Sequence, residues 1–343
     1  MDTSNALLTS NNSPNKTFVL KNANESIIEL ISGEEAIKEL EKIDDYISSF
    51  SEFDLKCRLN LSSPTPQDYL KFIAQQILIW DEKSSQAVAS CVQVINTTCL
   101  EQLKLLTYPP RIYIVLTNGK DENNAPYCRN ENVIVLPQTI TLNRKMIHIF
   151  VHELFHIWSK WNTNLTIRDE LYASIGYHKI PVVKSIELPA SLKQIKMTNP
   201  DAPFVLKYYI ELKKLGDKNG KIYKCTPIIH ASRDFDSNFS TNFFDYLLAT
   251  TLILDDTTYE PLEPLQYLPY EEASNFFDQI GNNTFYVMHP EEILAENFVL
   301  WMMKKNQSSV LESPTIILKM DDIISTAARN IQTSVALTNH SSN

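Results

Sequence analysis

Glycine is scarce, 6 residues in 343, and no Gly-rich loop that could cradle a phosphate exists anywhere in the chain. Cysteine is sparse and unpatterned. Cys57, Cys91, Cys99, Cys128 and Cys225 are odd in number and have no CxxC spacing, so they read as reduced thiols of a protein that folds in a cytoplasm and offer no Cys-type structural zinc site. Basic runs and basic–aromatic stripes are missing, and the formal charge is −10. That argues against nucleic acid as a partner. No apolar run approaches the length of a bilayer span. The first residues, MDTSNALLTSNNSPNKTF, have neither a basic n-region nor an apolar h-region. They are not expected to be a Sec signal peptide, which points to the cytoplasm of the producing cell. No repeat at solenoid periods is visible.

One stretch stands out. Asn143 to Trp161 reads NRKMIHIFVHELFHIWSKW and contains the HExxH pattern His152-Glu153-Leu154-Phe155-His156. Met146, Ile149, Phe150, Leu154, Ile157 and Trp158 recur at helical spacing, which predicts a buried helix. Residues four apart on a helix share a face, about 6 Å apart along the axis, so His152 and His156 can aim two imidazoles at one point. Glu153 lies about 100° further round, within reach of a water on a metal held there. A chance HExxH in such a chain arises on the order of once in a hundred. Two imidazoles and a carboxylate on so apolar a helix are costly to bury, and one catalytic Zn2+ accounts for all three. A core helix with locally satisfied polar groups is the plainer reading.

Hydrophobic residues make up 43% of the chain, enough for the core of one large domain or two modest ones. Residues 1–24 are rich in Ser, Asn and Thr and are expected to be disordered. Helices are predicted over Glu34–Ile47, from Pro66 after a Thr65 cap with Asp68 in the first turn, and over Gln86–Leu106. The stripe Tyr69, Phe72, Ile73, Ile77 and Trp80 is read as core. Strands are predicted over Arg111–Leu116 and Asn132–Leu136. A helix over Arg168–Ile175 and an irregular passage marked by Pro181, Pro189, Pro200 and Pro203 follow the HExxH helix. Phe204–Leu212 and Lys221–Ile229 form a predicted hairpin. Helices are predicted over Asn242–Leu254, Glu271–Ile280 and Pro290–Lys305, with a last amphipathic segment over Pro314–Asn330 and a loose tail.

A catalytic zinc needs a third protein ligand. His289-Pro290-Glu291-Glu292-Ile293-Leu294-Ala295-Glu296-Asn297-Phe298 marks a helix start in which Glu292 and Glu296 share a face. Two carboxylates facing a core need a partner or a metal. His148 competes, although three ligands on one straight helix suit tetrahedral zinc badly. Glu170, Glu291, His230 and His289 are further candidates. Glu291 is expected to point off the face that Glu296 shares.

HExxH followed far downstream by Glu292-Ile-Leu-Ala295-Glu296 resembles the gluzincin clan of zinc metallopeptidases, whose downstream pattern is Glu-x-x-(Ser/Ala)-(Asp/Glu). By that resemblance Glu292 is the third ligand. Glu296 stands behind a ligand histidine and fixes its tautomer. HELFHIWSKWN, RDELYASIGY, NPDAP (Asn199–Pro203) and HPEEILAENF together also resemble uncharacterised bacterial HExxH proteins, over roughly Arg111 to Met303. The gap between motifs is longer than in the thermolysin-like and aminopeptidase families, and their other substrate-site motifs are absent. The resemblance implies an α+β, zincin-like fold. A small sheet and the active-site helix form an N-terminal lobe (25–180), and a mainly helical C-terminal lobe (181–330) closes a cleft and brings the third ligand, with a flexible tail at 331–343. It also implies that Glu131–Leu136 is an edge strand that pairs with an extended substrate.

The expected activity is hydrolysis of peptide bonds in a protein substrate, with Glu153 as general base and an oxyanion donor among Tyr286, His289, Tyr177 and Tyr208. Alternatives are an inactive zincin-like interaction module and a zinc hydrolase of a non-peptide bond. A bacterial effector protease, delivered by a non-Sec route to act on a host protein, and a housekeeping protease fit the same residues.

Overall fold

The structure, a computed structural model, describes residues 15–141, 145–162, 166–181, 186–303 and 311–340. It is a mixed α/β protein with two sheets. The first has five strands, β1 (Thr17–Val19), β2 (Ile27–Ile31), β3 (Arg111–Thr117), β4 (Tyr127–Arg129) and β5 (Val133–Pro137), in the order β1-β2-β3-β5-β4. β2, β3 and β5 run parallel, and β1 and β4 close the two sides antiparallel. The central strands are apolar at successive positions because both faces are covered. Ile112, Ile114, Ile134 and Leu136 face the HExxH helix, Met146–Trp161, while Val115, Val133 and Val135 pack with Tyr46, Tyr69 and Ile73 on the other side.

The helix opening at Pro66 spans Pro66–Ala74 and is capped as expected. Asp68 N–H reaches Thr65 Oγ1, and the Asp68 carboxylate accepts from Thr65 N–H at 2.9 Å. The stripe does not continue as one helix, since Ile77 bridges to Thr117 instead.

Several expectations are corrected. Glu34–Ile47 is two helices, Gly33–Leu40 and Asp45–Ser48, because Asp44 caps the second one through Ile47 N–H and also binds Arg129. Gln86–Leu106 likewise splits into Glu82–Thr98 and Leu100–Leu103. The segment expected to be disordered through residue 24 enters the sheet at Thr17, where Phe18 pairs with Ile28. Residues 1–14 and 341–343 of the expected loose ends, and 182–185 of the irregular passage, lie outside the described residues. The last helix runs Pro314–His340, past the expected start of the tail.

β5 is not an edge strand. It lies between β3 and β4, and β4 is the edge. That edge is itself occupied, since Cys128 N–H donates to Asp201 Oδ1 at 2.9 Å.

The second half of the chain is not mainly helical. It contains a four-stranded antiparallel sheet of β6 (Tyr177–Lys179), β7 (Tyr208–Lys213), β8 (Ile222–Ala231) and β9 (Leu247–Ile253). β9 corrects the helix expected over Asn242–Leu254. Its Leu-Leu-Ala-Thr-Thr-Leu-Ile run suits either period, and pairing along β8, from Ala231↔Leu247 to Cys225↔Ile253, decides it. Glu271–Ile280 reduces to a turn at Tyr270–Glu272 and a short helix, Phe276–Ile280. One apolar core runs from Leu20 through the HExxH helix and the Pro290–Met303 helix to Ile324. No helix among the described residues is long and apolar enough to cross a membrane.

Thr65→Ala should lower stability by about 1 kcal/mol. The measurement is the urea midpoint, with the denaturant slope unchanged. An unshifted midpoint would mean that the cap does not hold this helix.

Candidate metal centre

The HExxH helix and the Pro290–Met303 helix lie antiparallel across one buried seam. The pairing shows it: His148 and His152 meet Glu296, His152 and His156 meet Glu292, and His156 and Ser159 meet Glu291. Pro290 starts the second helix with Glu291 and Glu292 in its first turn, where acidic side chains suit the helix dipole. The rest of the seam is apolar and aromatic. Phe298 packs on Phe155 and stacks on Trp158.

His152, His156 and Glu292 come together, with one potential ligand atom from each lying within 4.8 Å of the others. His152 Nε2 is 2.9 Å and His156 Nε2 3.6 Å from Glu292 Oε2. Each ring has its other nitrogen held by a separate carboxylate: His152 Nδ1–H donates to Glu296 at 2.9 Å and His156 Nδ1–H to Glu291 at 3.3 Å. These partners assign the tautomers. Both Nε2 atoms then present lone pairs to a carboxylate oxygen, and His156 Nε2 is buried without a hydrogen-bond partner. Three acceptors facing one point need a proton or a cation among them. Tetrahedral zinc with bonds of about 2.0–2.1 Å separates its ligands by roughly 3.3 Å, and the two measured separations bracket that value. The donor set fits zinc.

Without a metal the same geometry holds protons. Burial disfavours charge on the rings, but the hydrogen bonds that His152 donates to Glu292 and Glu296 outweigh it and raise His152 to about 9. For His156, burial is outweighed by the charges of Asp201 and Glu292 and by the bond to Glu291. Burial opposes ionisation of Glu292 too, yet the two rings hold it well below the usual carboxylate range.

Glu153 is 2% exposed and lines the cavity beside this cluster. Its Oε2 accepts from Cys128 Sγ–H at 3.3 Å. Burial, then the Asp201 charge, push it up to about 7. The other candidates lie outside the group of three. His148 bonds Glu296 at 3.1 Å and is partly exposed. Glu170 is exposed and pairs with Thr166. His230 packs against Tyr267, with the rings tilted. His289 Nε2 accepts from Asn199 Nδ2 at 2.8 Å, and burial keeps that ring neutral. Of the four possible oxyanion donors, Tyr286 lines the cavity, with its ring 6.3 Å from that of His152. Although 42% of the residue is exposed, desolvation of the phenol where it lines the cavity, and then the Glu292 charge, raise it above the ordinary value, which keeps it a donor. Tyr208 binds Asp169, and Tyr177 is fully buried.

Sequence reasoning missed the roles of four residues. Glu291 was expected off the face, but it is 0% exposed and accepts from His156, Ser159 Oγ at 3.1 Å and Tyr172 Oη. The signal was arithmetical: two ligand rings need two holders, and Glu296 can serve one. Asn199 donates to Glu292 Oε1 at 2.8 Å and to His289, while its own Oδ1 accepts from Asp201 N–H. Asp201 and Cys128 approach Glu153 closely enough to form a second buried group of three. The NPDAP stretch carried the hint but no role.

No protein-family model matches the sequence, and no curated protein or solved structure matches it.

Glu291→Ala strands three buried donors and should cost about 3 kcal/mol in the metal-free protein. Denaturation with chelator present measures it. A loss within ±0.5 kcal/mol would show that Glu291 is not holding the ring.

Proposed function

We propose that the chain is a zinc-dependent metalloendopeptidase with a zincin-like site, acting on a protein or peptide substrate. The observation that carries this reading is the convergence of His152, His156 and Glu292, with a separate carboxylate behind each imidazole. In it His152, His156 and Glu292 hold the metal. Bound there, zinc supplies Lewis acidity, lowering the pKa of a water towards ~7 and polarising the scissile carbonyl.

The protein groups do the rest. Glu296 and Glu291 keep Nδ1 of each ring protonated, so that each Nε2 lone pair faces the centre. Asn199 fixes the Glu292 carboxylate through Oε1 and leaves Oε2 turned to the rings. Glu153, whose carboxyl burial and the Asp201 charge push up to about 7 in the metal-free protein, takes the proton of the attacking water as a carboxylate and returns it to the departing amine. Tyr286 donates its O–H to the carbonyl oxygen as charge develops there.

Purified protein should contain one zinc per chain, and Glu292→Ala should hold far less. Glu153→Gln should keep its zinc while cleavage of a denatured-protein substrate falls about 10²–10⁴-fold. Metal analysis and gel assays read both, and a Gln variant that cleaves like the wild type removes Glu153 as the base. Tyr286→Phe should lower kcat about 10²–10³-fold with KM little changed. Steady-state kinetics on a quenched peptide checks it, and an unchanged kcat assigns the oxyanion to another group.

A further inference from the structure

The cavity beside the ligand cluster, about 230 Å³, has walls of two kinds. The metal-binding side carries His152, Glu153 and Glu292. The lining also includes Met197, Ile229, Phe243, Phe244, Leu247 and Met288. Phe244 is 41% exposed although large and apolar, and so is open to a ligand.

Two charged residues interrupt this apolar lining, Arg58 and Glu122. An arginine in a substrate cavity suggests selection of acidic side chains, but its hydrogen-bond inventory points elsewhere. A guanidinium has five N–H donors, and every one is used. Nε and Nη2 bind Glu122 at 2.8 and 2.9 Å, Nη1 binds Asp54 Oδ1 at 2.8 Å and the Asp54 carbonyl, and the second Nη2 hydrogen reaches the Thr198 carbonyl. Glu122 is equally committed. Its Oε1 accepts from Arg58 Nε, Tyr46 and Tyr69, and its Oε2 accepts from Arg58 Nη2, so both oxygens are engaged by groups of the fold. Asp54 accepts from Arg58, Thr198 N, Thr198 Oγ1 and Ser51 N. The faces of the guanidinium lie against Phe243 and Phe50, at 4.9 and 5.2 Å. With side chains 3%, 2% and 0% exposed, Arg58, Glu122 and Asp54 sum to one negative charge and offer an incoming group no donor.

We propose that this cavity is a selectivity pocket for an uncharged apolar side chain of the substrate, aromatic or long aliphatic, and that its Arg58–Glu122 pair recruits no charged residue. A carboxylate entering it loses water, meets a saturated arginine and faces Glu153, Glu292 and Asp201. An ammonium also loses water, and it finds Asp54 filled and Glu122 already paired with Arg58 through both oxygens. An apolar group loses nothing and covers Phe244, Met288 and Ile229. The proposal rests on the peptidase reading for the kind of molecule that brings the side chain.

The test is calorimetric binding to zinc-loaded Glu153→Gln protein, using short blocked peptides identical except for Phe, Leu, Glu or Lys placed in turn at each position. At one position Phe and Leu should bind about tenfold or more tighter than Glu and Lys. Preference for Glu or Lys, equal binding, or no measurable binding across the set overturns the proposal. Phe244→Asp changes an exposed residue and should leave the fold intact. It should weaken the Phe peptide at least fivefold, and unchanged Phe binding in this variant also overturns the proposal. Cleavage by wild-type protein is scored separately. Apolar preference without any cleavage removes the peptidase reading and leaves the pocket. Cleavage beside acidic residues does the reverse.

Discussion

Buried carboxylates repel one another unless something positive or hydrogen-donating lies between them, and this constraint orders the seam between the two central helices. Glu296, His152, Glu292, His156 and Glu291 alternate there as acid and imidazole. Each ring is shared between two carboxylates. Beyond the ends of this row, His148 binds Glu296, and Ser159 and Tyr172 bind Glu291. Asn199 supports the middle carboxylate from the side. Apart from Glu296, which is partly exposed, the row is largely buried, so removing one member leaves its neighbours without compensation. The fold around it supplies the stiffness: a parallel sheet core behind the HExxH helix and aromatic packing of Phe298 along it.

Much of this was legible because helical spacing is a strong signal. Met146 to Trp161 repeats its apolar residues every three or four positions, and the His pair repeats with it. The Thr65–Asp68 cap was legible from four residues, since its hydrogen bonds are local. What failed was non-local. β9 has a composition that suits helix or strand, and only β8 alongside it decides. β5 carries no mark that says a fourth strand will add outside it. Asp44 reads as one more acidic residue of an amphipathic run until Arg129, far along the chain, recruits it. Glu291 was misplaced for a related reason. A helical-wheel argument places it off the face that Glu296 shares, but His156 sits further along the antiparallel partner, and the seam is wide enough to include both.

The passage 199–201 is marked in the sequence as irregular and proline-bearing and as part of the NPDAP resemblance, with no role for its residues. It links three regions. Asn199 reaches the Pro290–Met303 helix, Asp201 reaches the first sheet through Cys128, and Lys160 of the HExxH helix binds the Pro200 carbonyl at 3.1 Å. Its contacts are polar and depend on partners from three separate parts of the chain. No local pattern could reveal them.

The antiparallel crossing of the two helices has a consequence for how this chain can vary in length. The second sheet and its loops lie between the helices in sequence, and they meet the polar row through Asn199. Residues added to the turn at Gly216–Gly220 change the path of the chain and leave the crossing untouched. One residue added inside either helix rotates everything beyond it by about 100° and separates acids from imidazoles. Length is therefore free in the connections and fixed in the two helices, so insertions and deletions should collect between the two motifs and avoid their interiors.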